Sequence, residues 1–123
     1  RTKEAEKYLA RLKKGGYILI NTNKSFEELG LADYVRDWPA DRLLTVSATD
    51  IARKHVGRPV PNVPLLGGFA AASGLIQLES VIKAIHRKFG GKVAEGNIAA
   101  ATEAFNTVRA EIDEAKRKEN AHA

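Results

Sequence analysis

Two short apolar stretches, Tyr17-Ile18-Leu19-Ile20 and Leu43-Leu44-Thr45-Val46, constrain this chain more than any other feature. Each is a continuous run rich in β-formers, the pattern of a strand buried on both faces of a helix-covered parallel sheet. The residues between them are enough for a crossover, so parallel pairing is expected. Beyond the second run the chain reads as helices only. Two buried strands leave their edges open and make no satisfactory sheet alone. The expected fold class is therefore α/β, a mostly parallel sheet flanked by helices in three layers. This chain would hold its C-terminal portion, completed by another polypeptide or deprived of its own first half.

Helical periodicity fills the remainder. Ala5, Tyr8, Leu9 and Leu12 share one face of a first helix that Thr2 can cap and Gly15-Gly16 ends. Ser25 is a cap for one or two helical turns between Phe26 and Tyr34, with Glu27 and Glu28 in the first turn. Trp38-Pro39-Ala40-Asp41 reads as a turn. Ser47 or Thr49 can cap a short helix, Asp50 to His55, that stops at Gly57. The prolines at 59, 61 and 64 keep the stretch 57–64 from being helical, and Asn62 is placed to cap the helix that follows. That helix, Leu65 to Ser73, carries Gly67 and Gly68, each costing about 1 kcal/mol of helix propensity. Close approach of another backbone or a ligand is the usual offset. Leu78, Val81, Ile82, Ile85 and Phe89 form the stripe of an amphipathic helix. A last helix aligns Ile98, Ala101, Phe105, Val108, Ile112 and Ala115 on a narrow seam. Its core role is expected to reach Val108, with a protruding extension beyond. The whole of 1–123 reads as a single domain or domain fragment, with 110–123 as helical extension or tail.

Composition excludes several classes of chemistry. The chain has no cysteine, which removes disulfides, thiolate nucleophiles and iron–sulfur ligation by its own side chains. No apolar run approaches a membrane span and no secretory leader heads the sequence, so a cytoplasmic location is expected. The net charge of +5 invites nucleic-acid binding. The charges are interleaved along helices, as Lys116, Arg117 and Lys118 are with Glu111, Asp113, Glu114 and Glu119, and no aromatic residues alternate with them. That is a solvated face, and no nucleic-acid partner is expected.

No catalytic constellation stands out. His55, His86 and His122 have no ligand spacing, Ser25 follows no glycine-rich phosphate loop, and no GxSxG elbow occurs. His55 near a helix end is read as a cation matched to the helix dipole. What remains is geometric. Ligands of open α/β sheets bind beyond the carboxyl ends of the strands, here Asn21 to Ser25 and Ser47 to Asp50. The loop from Gly57 through Arg58 to Asn62 opens a helix there, which suits a phosphate. Lys24, Arg58 and Asn62 are the candidate contacts, against the alternative that Asn62 only caps and the glycines only allow packing.

In order and spacing, the residues resemble a known family. Gly15-Gly16-Tyr17-Ile18-Leu19-Ile20-Asn21-Thr22-Asn23-Lys24-Ser25 is similar to a stretch of 2-oxoacid:ferredoxin oxidoreductase gamma subunits, closest to the pyruvate type. Thr45 to Ala52, Gly57-Arg58-Pro59-Val60-Pro61-Asn62 with Leu65 to Ala70, and Lys92 to Glu95 continue the likeness over about residues 10 to 109. The GRGGQG segment that opens family gamma domains is absent, so the resemblance is to their C-terminal part. It implies a noncatalytic subunit of an enzyme that oxidatively decarboxylates a 2-oxo acid such as pyruvate to an acyl-coenzyme A. Thiamine diphosphate, iron–sulfur clusters and coenzyme A would be held mainly by alpha, beta and delta type subunits, with electrons leaving to ferredoxin. Gly57, Arg58, Asn62 and Lys24 would then contact coenzyme A or its phosphates. The rival reading is a stand-alone basic α/β interaction module that binds a partner protein or nucleic acid. A small phosphate binder acting alone is a third.

Overall fold

The computed structural model describes residues 16–121. The helix expected around Ala5 to Leu12 lies outside them. Strand β1 (Ile18–Asn21) is followed by turns, a short 3-10 helix (Ala40–Arg42) and strand β2 (Leu43–Val46). Four α-helices follow: α1 (Ala48–Val56), α2 (Asn62–Ser73), α3 (Leu78–Lys88) and α4 (Gly91–Ala121). The strands pair in parallel with Leu19 opposite Leu44, as the crossover demanded.

Within the described residues the expected three-layer sheet is overturned. They hold two four-residue strands and are mostly helix, and the sheet does not close. Among the described residues the helical layer covers one face only. Leu19, Leu44 and Val46 join Ala48, Ile51, Ala71, Ala100, Ala104, Val108 and Ile112 in one core. Ile18, Ile20, Leu43 and Thr45 point to the other face and remain half-buried. A continuous apolar run gives a strand's kind but not the number of its covered faces.

The helices form a core of their own because small residues let them approach. A methyl group at Gly67 would lie 2.2 Å from the Ala101 carbonyl oxygen, so α2 and α4 touch backbone to backbone. At Gly96 it would lie 2.6 Å from the His55 oxygen, which fixes α4 against the end of α1. The Gly67 contact is the offset that a glycine inside α2 required. Ala70, Val81, Ile85, Ala94 and Ala101 make a second cluster among α2, α3 and α4. Helix α4 also carries the core past the expected limit at Val108, because Ile112 is buried beneath the sheet.

Local signals fared unevenly. Ser25 caps a turn, with Glu28 N–H donating to its hydroxyl and Ser25 N–H donating to the Glu28 carboxylate, a reciprocal capping box. The segment from Phe26 to Tyr34 is turns rather than regular helix. Asn62 does not cap α2: Pro61 holds the cap position, no side chain bonds there, and Asn62 is already helical.

Candidate functional site

The carboxyl ends of the strands are tied together by side chains. The Asn21 amide donates to Thr49 Oγ1 at 2.9 Å, and Thr49 N–H donates back to Asn21 Oδ1 at 3.3 Å. Asn21 thus caps α1 from the neighbouring strand. Ser47 occupies the N-cap position, yet its hydroxyl donates to the Thr22 carbonyl instead, at 3.3 Å. Lys24 follows on an exposed loop, where its N–H donates to Thr22 Oγ1 at 3.1 Å.

The second loop opens at Gly57, whose φ of +82° ends α1 in the left-handed region that glycine adopts without strain. Its N–H donates to the Ala52 and Arg53 carbonyls. Arg58 is exposed, and Val60 N–H folds back to its carbonyl at 2.9 Å. Helix α2 runs against the strand direction. Gly68 in its middle faces Leu19 and Val46, while its last residues line a cleft with Gly16, Tyr17, Asp41 and Arg42 ahead of the strands. Its N-terminus therefore points toward the strands' carboxyl end. Lys24 on its loop, and Gly57, Arg58 and Asn62 along the stretch that opens α2, accordingly lie toward that end on two segments. Among the described residues no hydrogen bond or ion pair joins their side chains or occupies the Lys24 and Arg58 cations.

Two further polar features were not foreseen. The Glu103 carboxylate of α4 accepts from Lys54 Nζ at 2.8 Å and is paired with His55 Nε2 at 2.7 Å. The Lys54 and His55 hydrogen bonds pull its pKa below the usual carboxylate range. The His55 position is thus met by a carboxylate as well as by a helix end. A cleft of about 340 Å³ beside this cluster is lined by Ser47, Asp50, Ile51 and Thr107. At the opposite end, a cleft of about 490 Å³ gathers Tyr17, Arg42, Ser73, Arg109 and Lys116. Neither cluster could be found from sequence, because its members are far apart in the chain.

Among the described residues no group of three His, Asp or Glu side chains could hold a metal ion. None of their helices is long and apolar enough to cross a membrane.

Known proteins resemble the chain over most of its length. The family model of pyruvate ferredoxin/flavodoxin oxidoreductase matches residues 2–107. The common gamma subunit of pyruvate/ketoisovalerate oxidoreductases from Thermococcus kodakarensis is 44% identical over 97 residues, covering 79% of this chain and 51% of that protein. Pyruvate synthase subunit PorC from Methanocaldococcus jannaschii is 40% identical over 95 residues, 77% of this chain and 48% of that one. The crystal structure of the pyruvate oxidoreductase subunit PORC from Thermotoga maritima superposes with a TM-score of 0.62 at 28% identity, covering 75% and 50% of the two chains. The chain spans about half the length of the curated relatives it matches.

Proposed function

The chain belongs to the pyruvate ferredoxin/flavodoxin oxidoreductase family, and from that premise we propose that it is the noncatalytic gamma portion of a multi-subunit 2-oxoacid:ferredoxin oxidoreductase. The carrying observation is the match over residues 2–107 together with 44% identity to a common gamma subunit. In such an enzyme thiamine diphosphate supplies the decarboxylation chemistry, iron–sulfur clusters carry electrons, and coenzyme A accepts the acyl group. With no cysteine in the sequence, the thiolate donors for clusters lie outside it. The proposed partners are therefore alpha, beta and delta type subunits, with ferredoxin as the external acceptor and the cytoplasm as the location.

For coenzyme A the described residues offer fitting groups. Lys24 and Arg58 are exposed cations without an acidic partner among the described residues. The first amides of α2 have no side-chain acceptor, and such amides favour a phosphate oxygen. Gly57 and Asn62 flank that position. The proposed role of these four residues is to hold the phosphate-bearing end of coenzyme A at the subunit boundary, away from the reacting carbon.

Reconstitution tests the reading. Co-expressed with alpha, beta and delta type subunits, the tagged chain should retain them in fixed ratio, with iron–sulfur absorbance and pyruvate- and coenzyme A-dependent reduction of ferredoxin. A chain that purifies alone in their presence refutes it and favours the stand-alone basic module.

A further inference from the structure

We infer that Glu103 is a positioning residue: it holds the end of α1 against α4 and so sets the direction in which the following loop, 57–61, presents Arg58. The functional consequence rests on the proposed contact of Arg58 with coenzyme A. The positioning itself rests on geometry alone.

One carboxylate meets two consecutive residues of α1. Lys54 Nζ lies 2.8 Å from Glu103 Oε1, and His55 Nε2 lies 2.7 Å from the same oxygen. Successive side chains on a helix point roughly 100° apart, so these two reach the carboxylate from either side. Either roll of α1 about its axis would lengthen one of the two bonds. The separation of the helices is set at the same residue. A methyl group at Gly96 would lie 2.6 Å from the His55 carbonyl oxygen, so the α4 backbone already touches α1 there. Gly96 fixes the distance and Glu103 the rotation.

The loop that follows has little freedom of its own. Gly57 N–H closes α1 by donating to the Ala52 and Arg53 carbonyls. Pro59 and Pro61 fix their own φ and disfavour helical backbone at Arg58 and Val60, the residues before them. Val60 N–H folds back to the Arg58 carbonyl at 2.9 Å. Beyond the loop, α2 is held on the same helix, with Gly67 against Ala101. Gly96, Ala101 and Glu103 fall within about two turns of α4. One stretch of one helix therefore anchors both ends of the loop. A stiff loop between fixed ends passes the rotation of α1 on to the exposed Arg58.

Loop dynamics and coenzyme A kinetics separate positioning from bulk stability. In the full chain, Glu103→Ala should speed exchange of the Gly57 amide by about tenfold and lower the NMR order parameter of the Arg58 backbone. Glu103→Gln keeps a hydrogen-bonding end at the same reach and should restore most of both. Ile112→Val, which thins the core under α4 beneath the sheet, should leave both unchanged. In the reconstituted enzyme, Glu103→Ala should raise KM for coenzyme A by about threefold or more at constant kcat, the mark of lost uniform binding. Added to Arg58→Ala it should raise KM no further, because its effect runs through that side chain. An unmoved loop in Glu103→Ala, a loop loosened equally by Ile112→Val, no rescue by Glu103→Gln, or a KM increment undiminished by Arg58→Ala each overturns the inference. Should Arg58→Ala alone leave KM unchanged, the coenzyme A reading of Arg58 fails, and the Gly57 and Arg58 readouts still decide whether Glu103 positions the loop.

Discussion

Gly67→Ala should destabilise the chain although alanine is the better helix former. The substitution gains about 1 kcal/mol of propensity in α2. Against it, the new methyl would sit 2.2 Å from the Ala101 carbonyl oxygen, and under 3.0 Å something must shift. The obstacle is backbone within α4, so no side chain can swing aside. The helices must part by the order of an ångström, and a gap of 0.5–1 Å forfeits roughly a quarter to a half of each contact's dispersion energy. Ala70, Ala71, Ala100, Ala101 and Ala104, all buried along the surfaces of α2 and α4, share that loss. Overpacking of a close-fitting core costs about 1–3 kcal/mol, and a backbone obstacle belongs at the upper end. A net loss of about 2 kcal/mol is expected, a large share of a small domain's stability. Urea unfolding followed by far-ultraviolet circular dichroism would show it as a lower midpoint at constant slope. Gly68→Ala is the control: its methyl meets the Val108 Cγ2 atom at 3.3 Å, a side chain that can yield. The expected change is within about 1 kcal/mol. Equal midpoints for wild type and Gly67→Ala would refute the claim that backbone contact sets the spacing of α2 and α4.

Other expectations concern charge. Burial raises the Glu111 pKa above its unfolded value, outweighing the Thr45 hydrogen bonds. The folded state therefore binds that proton more tightly, and this contribution to stability falls as pH rises through the range above the ordinary carboxylate value. Glu111→Gln should flatten that dependence between about pH 4 and pH 7 in urea titrations, and an unchanged slope would refute it. Glu103 has the opposite sign, since Lys54 and His55 lower its pKa. Its contribution is present above the unfolded value and lost as pH falls through the folded one, so wild type should exceed Glu103→Gln at neutral pH and converge with it in acid. Carboxyl carbon shifts read by NMR would detect a Glu103 that titrates normally. In the assembled enzyme, Lys24→Ala combined with Arg58→Ala should weaken coenzyme A by about tenfold, equivalent to about 1.4 kcal/mol. Calorimetry showing unchanged affinity would remove these residues from the site.

What the sequence showed and what it hid divide by distance along the chain. The helix end at Gly57, the capping box of Ser25 and the stripe of α3 rest on neighbours within a few residues, and all are legible. The parallel pairing was legible from apolar runs and connection length. The number of layers was not, because the runs at 17–20 and 43–46 look alike whether one face is covered or two. Asn62 was misjudged because Pro61 takes the cap and starts the helix earlier. The Asn21–Thr49 tie spans 28 residues and the Glu111–Thr45 bond 66, and no local pattern encodes either. As for the proposed coenzyme A residues, sequence drew together four positions that the fold sets on two segments toward one end, Lys24 on one and Gly57, Arg58 and Asn62 on the other.

Helix α4 packs on β2, α1, α2 and α3, and it follows all of them in sequence. During synthesis, a nascent chain stopped ahead of Gly91 therefore lacks the helix on which β2, α1, α2 and α3 all pack. The apolar residues that α4 covers, such as Ala71 and Val81, stay wet until that helix has left the ribosome. Production of this protein should accordingly depend on whatever shields unfinished chains more than on the intrinsic speed of any one helix.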